Sequence, residues 1–280
     1  MSWRVQVVHT TGYRYSSPVT LSFNEVRLTP RGDARQNLVV NRIETTPSTR
    51  SYRYVDYWDT VVTTFDLHAP HTELVVVSNS IVETADPVEP DRAGRWKDLH
   101  SARVTDRYVE LLEPTGYVPR DAELVTQAKA LVRRREPADA VVAVCDWVHE
   151  QMTYQPGATA VHTSAVEAWR ERKGVCQDFA HLSLALLRAV GVPCRYVSGY
   201  LHPKPAAGIG EVVVGESHAW LEAWTGGWWG YDPTNNIPVG ERHVWVASGR
   251  DYADVPPLKG IFSGGKSSAL DVRVEVTRLA

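Results

Sequence analysis

The feature that most restricts the fold is the stretch from residue 174 to residue 193. It begins with Gly174-Val-Cys-Gln-Asp-Phe-Ala-His-Leu, continues in leucine and alanine, and ends at Gly191 and Pro193. Glycine followed by proline is a strong helix stop, so the pattern predicts one helix. Because apolar residues cover most of its circumference, we expect this helix to be buried, with other elements packed around it. Cys176 stands at its start.

The segments on either side of this helix predict the elements that bury it. Two preceding segments have apolar residues at helical spacing, namely Leu124, Ala128, Leu131 and Val132, and then Val141, Val144, Cys145, Val148 and Met152. The following segments have strand character over residues 195–201, 211–214, 217–224, 228–231, 243–246 and 271–277. We therefore expect residues 101–280 to form helices packed on an antiparallel sheet or barrel.

The first third of the chain predicts β structure. Residues 4–7 alternate, and residues 52–65 and 73–82 are dense in β-branched and aromatic side chains. These runs predict an antiparallel β-sandwich-like domain, or an open barrel, over residues 1–85. The polar, proline-containing stretch that follows predicts a linker over residues 86–100. The expected fold class is α+β.

Composition excludes several kinds of partner. Thirty basic and 33 acidic residues give a formal charge of -3, so we expect no nucleic-acid partner. No stretch approaches the ~20 apolar residues that span a bilayer, and the N-terminus has no signal-peptide core, so we expect no membrane partner. Three scattered cysteines suggest neither a disulfide framework nor a zinc site. We expect a cytoplasmic protein with no metal or other cofactor.

Cys176 is a candidate nucleophile because of its position. A cysteine attacks a carbonyl as thiolate, which a helix N-terminus and a neighbouring imidazolium favour. His218 lies on a predicted strand, and Asp232 on the next strand of the same hairpin could orient its imidazole. Each residue alone fits an ordinary role, as an inert buried cysteine, a half-buried histidine and a turn aspartate. The combination predicts a Cys-His-Asp site.

The hairpin that carries His218 and Asp232 makes a geometric prediction. With a two-residue turn at Gly226-Gly227, the two side chains would lie on opposite faces of the sheet, because strand side chains alternate. A three-residue Thr225-Gly226-Gly227 loop, or one bulge, brings them to the same face. The site therefore requires such an irregularity.

Three blocks of the sequence carry a resemblance to a known family. Gly174-Val-Cys-Gln-Asp-Phe-Ala-His-Leu, Ser217-His-Ala-Trp and Tyr231-Asp-Pro-Thr-Asn resemble, in that order, the signature blocks of the transglutaminase-like superfamily. The resemblance covers about residues 150–250, and the β-rich first third resembles the N-terminal domain of many bacterial members. It implies a papain-like core in which Cys176 is the nucleophile, His218 the base and Asp232 the orienting acid.

The chemistry that this resemblance implies is acyl transfer on peptide or protein amides through a cysteine thioester. Water as acceptor makes the protein a peptidase or deamidase, and a primary amine makes it a transglutaminase. Two rivals are a peptide N-glycanase-like amidase, whose paired-cysteine zinc element is missing here, and a non-catalytic binding or scaffold module on the same fold.

Further residues are candidates for contacts with the substrate. The backbone N–H of Cys176 is the first expected oxyanion donor, and Gln177, Trp169 and Tyr154 are nominated for the second. Trp220 is a candidate substrate contact because it shares a strand face with His218. Cys145 and Cys194 are expected in the core, and His181 should point away from Cys176.

Overall fold

The computed structural model describes residues 2–90, 92 and 94–280. Its longer strands are β1 (Arg4–Val26), β2 (Gln36–Thr46), β3 (Ser51–Val55), β4 (Val61–Leu67), β5 (His71–Thr84), β8 (Cys194–Leu201), β9 (Val212–Gly215), β10 (His218–Trp224), β11 (Trp228–Asp232), β13 (His243–Gly249), β14 (Leu258–Gly264) and β15 (Ser267–Arg278). Two-residue strands are β6 (Thr153–Tyr154), β7 (Lys173–Gly174) and β12 (Ile237–Pro238). The helices are α1 (Trp96–Leu99), α2 (Ala102–Arg107), α3 (Ala122–Leu131), α4 (Pro137–Gln151), α5 (Ala165–Glu171) and α6 (Cys176–Ala189). The predicted α+β class is confirmed.

The first sheet is built on the long strand β1. The first half of β1 pairs with β5 and β15, and its second half pairs with β4 and β14, all antiparallel. The predicted β-rich region is therefore completed by strands from the other end of the chain, which cover edges of β1 that would otherwise be open. The run over residues 52–65 divides into β3 and β4, because Asp56 Oδ1 accepts from the backbone N–H of Trp58 and Thr60 and closes a turn.

Helix α6 is buried as its sequence predicts. It packs against α3, α4 and α5 on one side and against β8 and β10 on the other. Every residue from Gln177 to Arg188 is buried, while Cys176 at its start is partly exposed. The helix ends before Gly191, whose φ of 80° only glycine adopts without strain. The predicted helix and its stop are confirmed.

The second sheet has the strand order β12-β11-β10-β8-β13. In the β10–β11 hairpin Trp224 pairs with Trp228 and Leu221 with Tyr231. The connection is thus the three-residue loop from Thr225 to Gly227, and the predicted irregularity is confirmed. In this register His218 and Asp232 share one face of the sheet.

The segment between the two regions includes the predicted linker. Residues 85–90 have no regular structure, and α1 begins inside the segment predicted as linker. Asp91 and Ala93 lie outside the described residues. The boundaries predicted for the two domains remain a prediction. Three strands from the second predicted domain, β9, β14 and β15, belong to the same sheet as the first strands. No helix in the described part of the chain is long and apolar enough to cross a membrane.

The two sheets meet along β13 and along the face of β10 that carries Glu222. Gln36 Nε2 donates to the carbonyl of Trp245 at 2.8 Å, and Gln36 Oε1 accepts from the Trp245 N–H at 2.8 Å, so one side chain pairs with the strand as a neighbouring strand would. The buried carboxylate of Glu222 on β10 binds Arg195 of β8 at 2.6 Å and Arg35 of the first region at 2.8 Å. The strand that begins with His218 is therefore tied to the N-terminal region.

Candidate active site

The turn before Cys176 is fixed by the carboxylate of Asp178. Asp178 Oδ2 accepts from the backbone N–H of Val175 at 2.8 Å and from Thr159 Oγ1 at 2.6 Å. Gly174 makes this approach possible, because a Cβ at that position would lie 2.5 Å from Asp178 Oδ2. The helix start therefore has one defined geometry, with the thiol at its first position.

Two backbone N–H groups at this helix start are left for another acceptor. The N–H groups of Asp178 and Phe179 both donate to the carbonyl of Val175, at 2.9 and 3.2 Å. Among the described residues, the N–H groups of Cys176 and Gln177 donate to no backbone carbonyl. The first N–H groups of a helix carry partial positive charge, so this pair can stabilise an oxyanion beside the thiol.

His218 and Asp232 form a buried hydrogen-bonded pair. His218 Nε2 donates to Asp232 Oδ2 at 2.7 Å, and Asp232 has no exposed surface. Asp232 Oδ1 accepts from the backbone N–H of Thr234 at 2.9 Å and of Asn235 at 3.2 Å. The amide of Asn235 also donates to Oδ2 at 2.8 Å. The carboxylate is therefore held on both oxygens, and its orientation fixes the imidazole.

The charges of this pair favour an imidazolium beside the thiol. Burial disfavours the charged form of His218, but Asp232 and Cys176 outweigh it and raise the His218 pKa to about 10. Burial likewise opposes ionisation of Asp232, yet His218 and His243 hold the Asp232 pKa well below its usual range. Because Nε2 of His218 faces Asp232, Nδ1 is the nitrogen left for Cys176. The three predicted residues are thus brought together.

The four nominated residues have different surroundings. The Gln177 side chain donates to the carbonyl of Val161 at 2.8 Å, so its backbone N–H is the group that can serve as a donor. Trp169 donates its indole N–H to Glu123 at 3.1 Å and is not available to an oxyanion.

Tyr154 lies beside the thiol, whereas Trp220 lies behind the histidine. Tyr154 is 49% exposed, and burial together with the charges of Cys176 and Glu216 raises its pKa. Trp220 lies on the His218 face as predicted, but it is fully buried. Trp220 therefore presents no surface to a substrate, and Tyr154 does.

Two residues that bind Asp232, His243 and Asn235, were not predicted as site residues from the sequence. Each donates to Asp232 Oδ2, from Nε2 of His243 at 3.4 Å and from Nδ2 of Asn235 at 2.8 Å. Asn235 stands three residues after Asp232, where an Asx turn could have suggested it. Nothing in the sequence links His243 to this carboxylate, because the contact depends on how β13 lies relative to β11.

The remaining cysteines and His181 are core residues, as predicted. Cys145 and Cys194 are fully buried, and burial raises the pKa of both thiols, to about 11 for Cys194. His181 packs between Tyr117 and Tyr196, and burial lowers its pKa to about 3. Cys176 is the partly exposed cysteine of the described chain.

Comparisons with known proteins identify the family that the chain resembles. A family model described as transglutaminase-like superfamily matches residues 126–233, and one described as bacterial transglutaminase-like N-terminal region matches residues 5–83. An uncharacterized protein of Mycobacterium leprae is 55% identical over 279 residues, which are 99% of this chain and 100% of that protein. A protein-glutamine gamma-glutamyltransferase of Pseudomonas aeruginosa is 34% identical over 208 residues, which are 67% of this chain and 31% of that protein.

A solved structure shares the fold. The structure of a proposed cysteine protease from Cytophaga hutchinsonii superposes with a TM-score of 0.79 at 24% identity, over 100% of this chain and 92% of that chain. At this identity the likeness concerns the fold alone. With the two family matches and the full-length relative, it leads to one conclusion: the chain belongs to the transglutaminase-like superfamily.

Proposed function

We propose that this protein is a cysteine-dependent acyltransferase or hydrolase acting on amides of peptide or protein substrates. The observation that carries the proposal is the His218 imidazole, held by buried Asp232 on one side and facing Cys176 on the other. A thiol, an imidazole and a fixed carboxylate are the parts that nucleophilic catalysis on an acyl group requires.

The first half-reaction uses the charges at the site. The Cys176 thiolate attacks the amide carbon, and the resulting oxyanion accepts from the N–H groups of Cys176 and Gln177. The C–N bond then breaks as the His218 imidazolium gives its proton to the leaving amine. A thioester on Cys176 and a neutral His218 remain. Asp232 keeps the proton on Nε2 of that imidazole, so that Nδ1 is free to act as a base.

The second half-reaction releases the acyl group. Water or a primary amine attacks the thioester carbon while Nδ1 of His218 takes its proton. The C–S bond breaks and the thiolate returns beside the imidazolium. Water yields a carboxylic acid, and an amine yields a new amide. The same three residues support both outcomes.

The surroundings of the thiol support a polypeptide substrate. Tyr154 is 49% exposed and Val161 is 60% exposed, and Val161 is tied to the helix start through Gln177. Exposed apolar and aromatic side chains beside the nucleophile give a substrate chain rigid contact area. The P. aeruginosa relative is named for γ-glutamyl transfer from protein glutamine, which makes the glutamine side-chain amide the first acyl donor to test.

The test is a survey of glutamine-containing peptides with and without a primary amine. Mass spectrometry of the products separates cleavage, deamidation and amine incorporation in one measurement. We expect wild-type protein to give at least one of these products and the Cys176→Ala variant to give none. Equal product formation by the two proteins would refute the proposal.

A further inference from the structure

The carboxylate of Asp232 contacts a second imidazole besides that of His218. His243, the first residue of β13, places Nε2 at 3.4 Å from Asp232 Oδ2 and is 4% exposed. Its ring packs edge-on against Trp220, with the ring centroids 5.2 Å apart. Asp232 Oδ2 therefore contacts two histidines, of which His218 also faces Cys176.

The hydrogen bonds of His243 define its tautomer. The backbone N–H of Gly240 donates to His243 Nδ1 at 3.2 Å. Since Nδ1 accepts, the proton of a neutral ring is on Nε2, which points it at Asp232. Burial lowers the His243 pKa despite the opposing charge of Asp232, so the ring is neutral near pH 7. His243 is a neutral donor, unlike the imidazolium of His218.

Contacts from the N-terminal region hold His243 in place. Thr84 Oγ1 donates to the carbonyl of Glu241 at 2.6 Å, and Gly240 packs so closely on Pro87 that a Cβ would lie 2.5 Å from Pro87 Cγ. Two residues after His243, both backbone groups of Trp245 bind the side chain of Gln36. The turn before His243 and the strand after it are thus fixed by residues outside the catalytic sheet.

We propose that His243 is a positioning residue for Asp232, and that the N-terminal β region keeps it in register with the site. This inference rests on the proposed function. Asp232 can hold the His218 imidazole toward Cys176 only while its own rotation is restricted, and His243 supplies a further donor to Oδ2, the oxygen that His218 binds. The first region thereby contributes to the geometry of the site through Thr84, Pro87 and Gln36.

A matched pair of variants separates positioning from packing. His243→Phe keeps a ring against Trp220 and removes both hydrogen bonds, whereas His243→Gln retains an N–H donor near the position of Nε2. We expect kcat for p-nitrophenyl acetate to fall about tenfold in His243→Phe with KM within twofold, as for the loss of one hydrogen bond to a charged group. The His243→Gln variant should recover to within about threefold of wild type.

A second readout does not depend on turnover. Carboxamidomethylation of Cys176 by iodoacetamide at pH 7 reports the thiolate that the His218 imidazolium stabilises. We expect its rate to fall by a factor similar to that of kcat in His243→Phe and to recover in His243→Gln. If both rates in His243→Phe stay within twofold of wild type, or if His243→Gln is as slow as His243→Phe while both are fully folded, the proposal is wrong.

The contribution of the N-terminal region has its own pair of variants. Gln36→Leu removes the two hydrogen bonds to Trp245, and Gln6→Leu removes one hydrogen bond to Asn79 in the same sheet, away from β13. We expect Gln36→Leu to slow alkylation of Cys176 at least threefold and Gln6→Leu to leave it unchanged. Equal rates in the two variants would overturn this part of the proposal.

The two proposals fail in distinguishable ways. If Cys176→Ala abolishes turnover and Asp232→Asn reduces it about a hundredfold or more, while His243→Phe does not reduce it, only the role of His243 is refuted. If wild-type protein and Cys176→Ala react equally with the ester, the proposed function fails and the role of His243 fails with it.

Discussion

The buried carboxylate of Glu222 gives a stability prediction whose size follows from its contacts. Glu222 is 2% exposed and binds Arg195 Nη2 at 2.6 Å, Arg195 Nε at 2.8 Å and Arg35 Nη2 at 2.8 Å. Glu222→Gln keeps the volume but removes the charge that compensates Arg195, itself only 17% exposed. Breaking a buried ion pair from one side costs about 3–5 kcal/mol. Since the side-chain oxygen of glutamine can still accept hydrogen bonds from the arginines, we expect a loss at the low end of this range, about 3 kcal/mol in the free energy of unfolding.

A surface pair supplies the matched control. Glu44 binds Arg42 at 2.6 Å, but the two side chains are 58% and 76% exposed. Such exposed pairs contribute at most about 1 kcal/mol, so Glu44→Gln should change stability by about 1 kcal/mol or less. Urea unfolding at pH 7, followed by tryptophan fluorescence, measures both variants. Similar losses in Glu222→Gln and Glu44→Gln would show that the buried ion pair contributes no more than the exposed one.

The pH dependence of the same variant adds a second test. Burial opposes ionisation of Glu222, but Arg195 and Arg35 outweigh it and lower its pKa below the ordinary 4.5. A lowered folded-state pKa means that the contribution is complete above pH 4.5 and is lost as pH falls through the folded value. The stability difference between wild type and Glu222→Gln should therefore begin to shrink below pH 4.5. A difference that grows on acidification would contradict this assignment.

Three further predictions concern the candidate site. Gly174→Ala should reduce ester turnover at least tenfold, because the new Cβ would meet Asp178 at 2.5 Å and displace the helix start; unchanged kcat would contradict this. Asp232→Asn should lower the His218 pKa from about 10 toward 6.5, so that the high-pH limb of kcat/KM moves down by more than one pH unit. The same variant should reduce kcat by about a hundredfold or more. An unmoved high-pH limb would exclude the effect of Asp232 on the His218 pKa. Iodoacetamide at pH 7 should label Cys176 in the folded protein and leave Cys145 and Cys194 unmodified, because both are fully buried. Peptide mapping that finds all three cysteines labelled equally would count against Cys176 as the nucleophile.

The sequence predicted those parts of the site that depend on local pattern. The apolar circumference between Gly174 and Pro193 specified a buried helix, and the glycine stop specified its end. Alternation of side chains along two strands was enough to require a three-residue loop at Gly226-Gly227 if His218 and Asp232 were to meet. Each of these inferences uses the period of a single element or hairpin.

The parts that could not be predicted depend on contacts between distant elements. β14 and β15 pair with β1, although each of them begins more than 230 residues after β1 ends. No periodicity in the sequence indicates which edge of a sheet a strand joins. His243 reaches Asp232 only because of how β13 lies beside β8. Trp169 and Trp220 were nominated from residue type and strand face, but neither property reveals that an indole N–H already has a partner or that a ring has no exposed surface.

Cys176 is proposed to form a thioester with His218 as its base, and intact-protein mass spectrometry detects such an acyl-enzyme. Protein treated briefly with p-nitrophenyl acetate and quenched in acid should carry one acetyl group, and fragmentation should place it on Cys176. We expect His218→Ala to acquire this group at least a hundredfold more slowly, because the thiol loses the imidazolium beside it. Acetylation of Cys176 at the same rate in wild type and His218→Ala, or acetylation mainly at other residues, would contradict the proposed roles of Cys176 and His218.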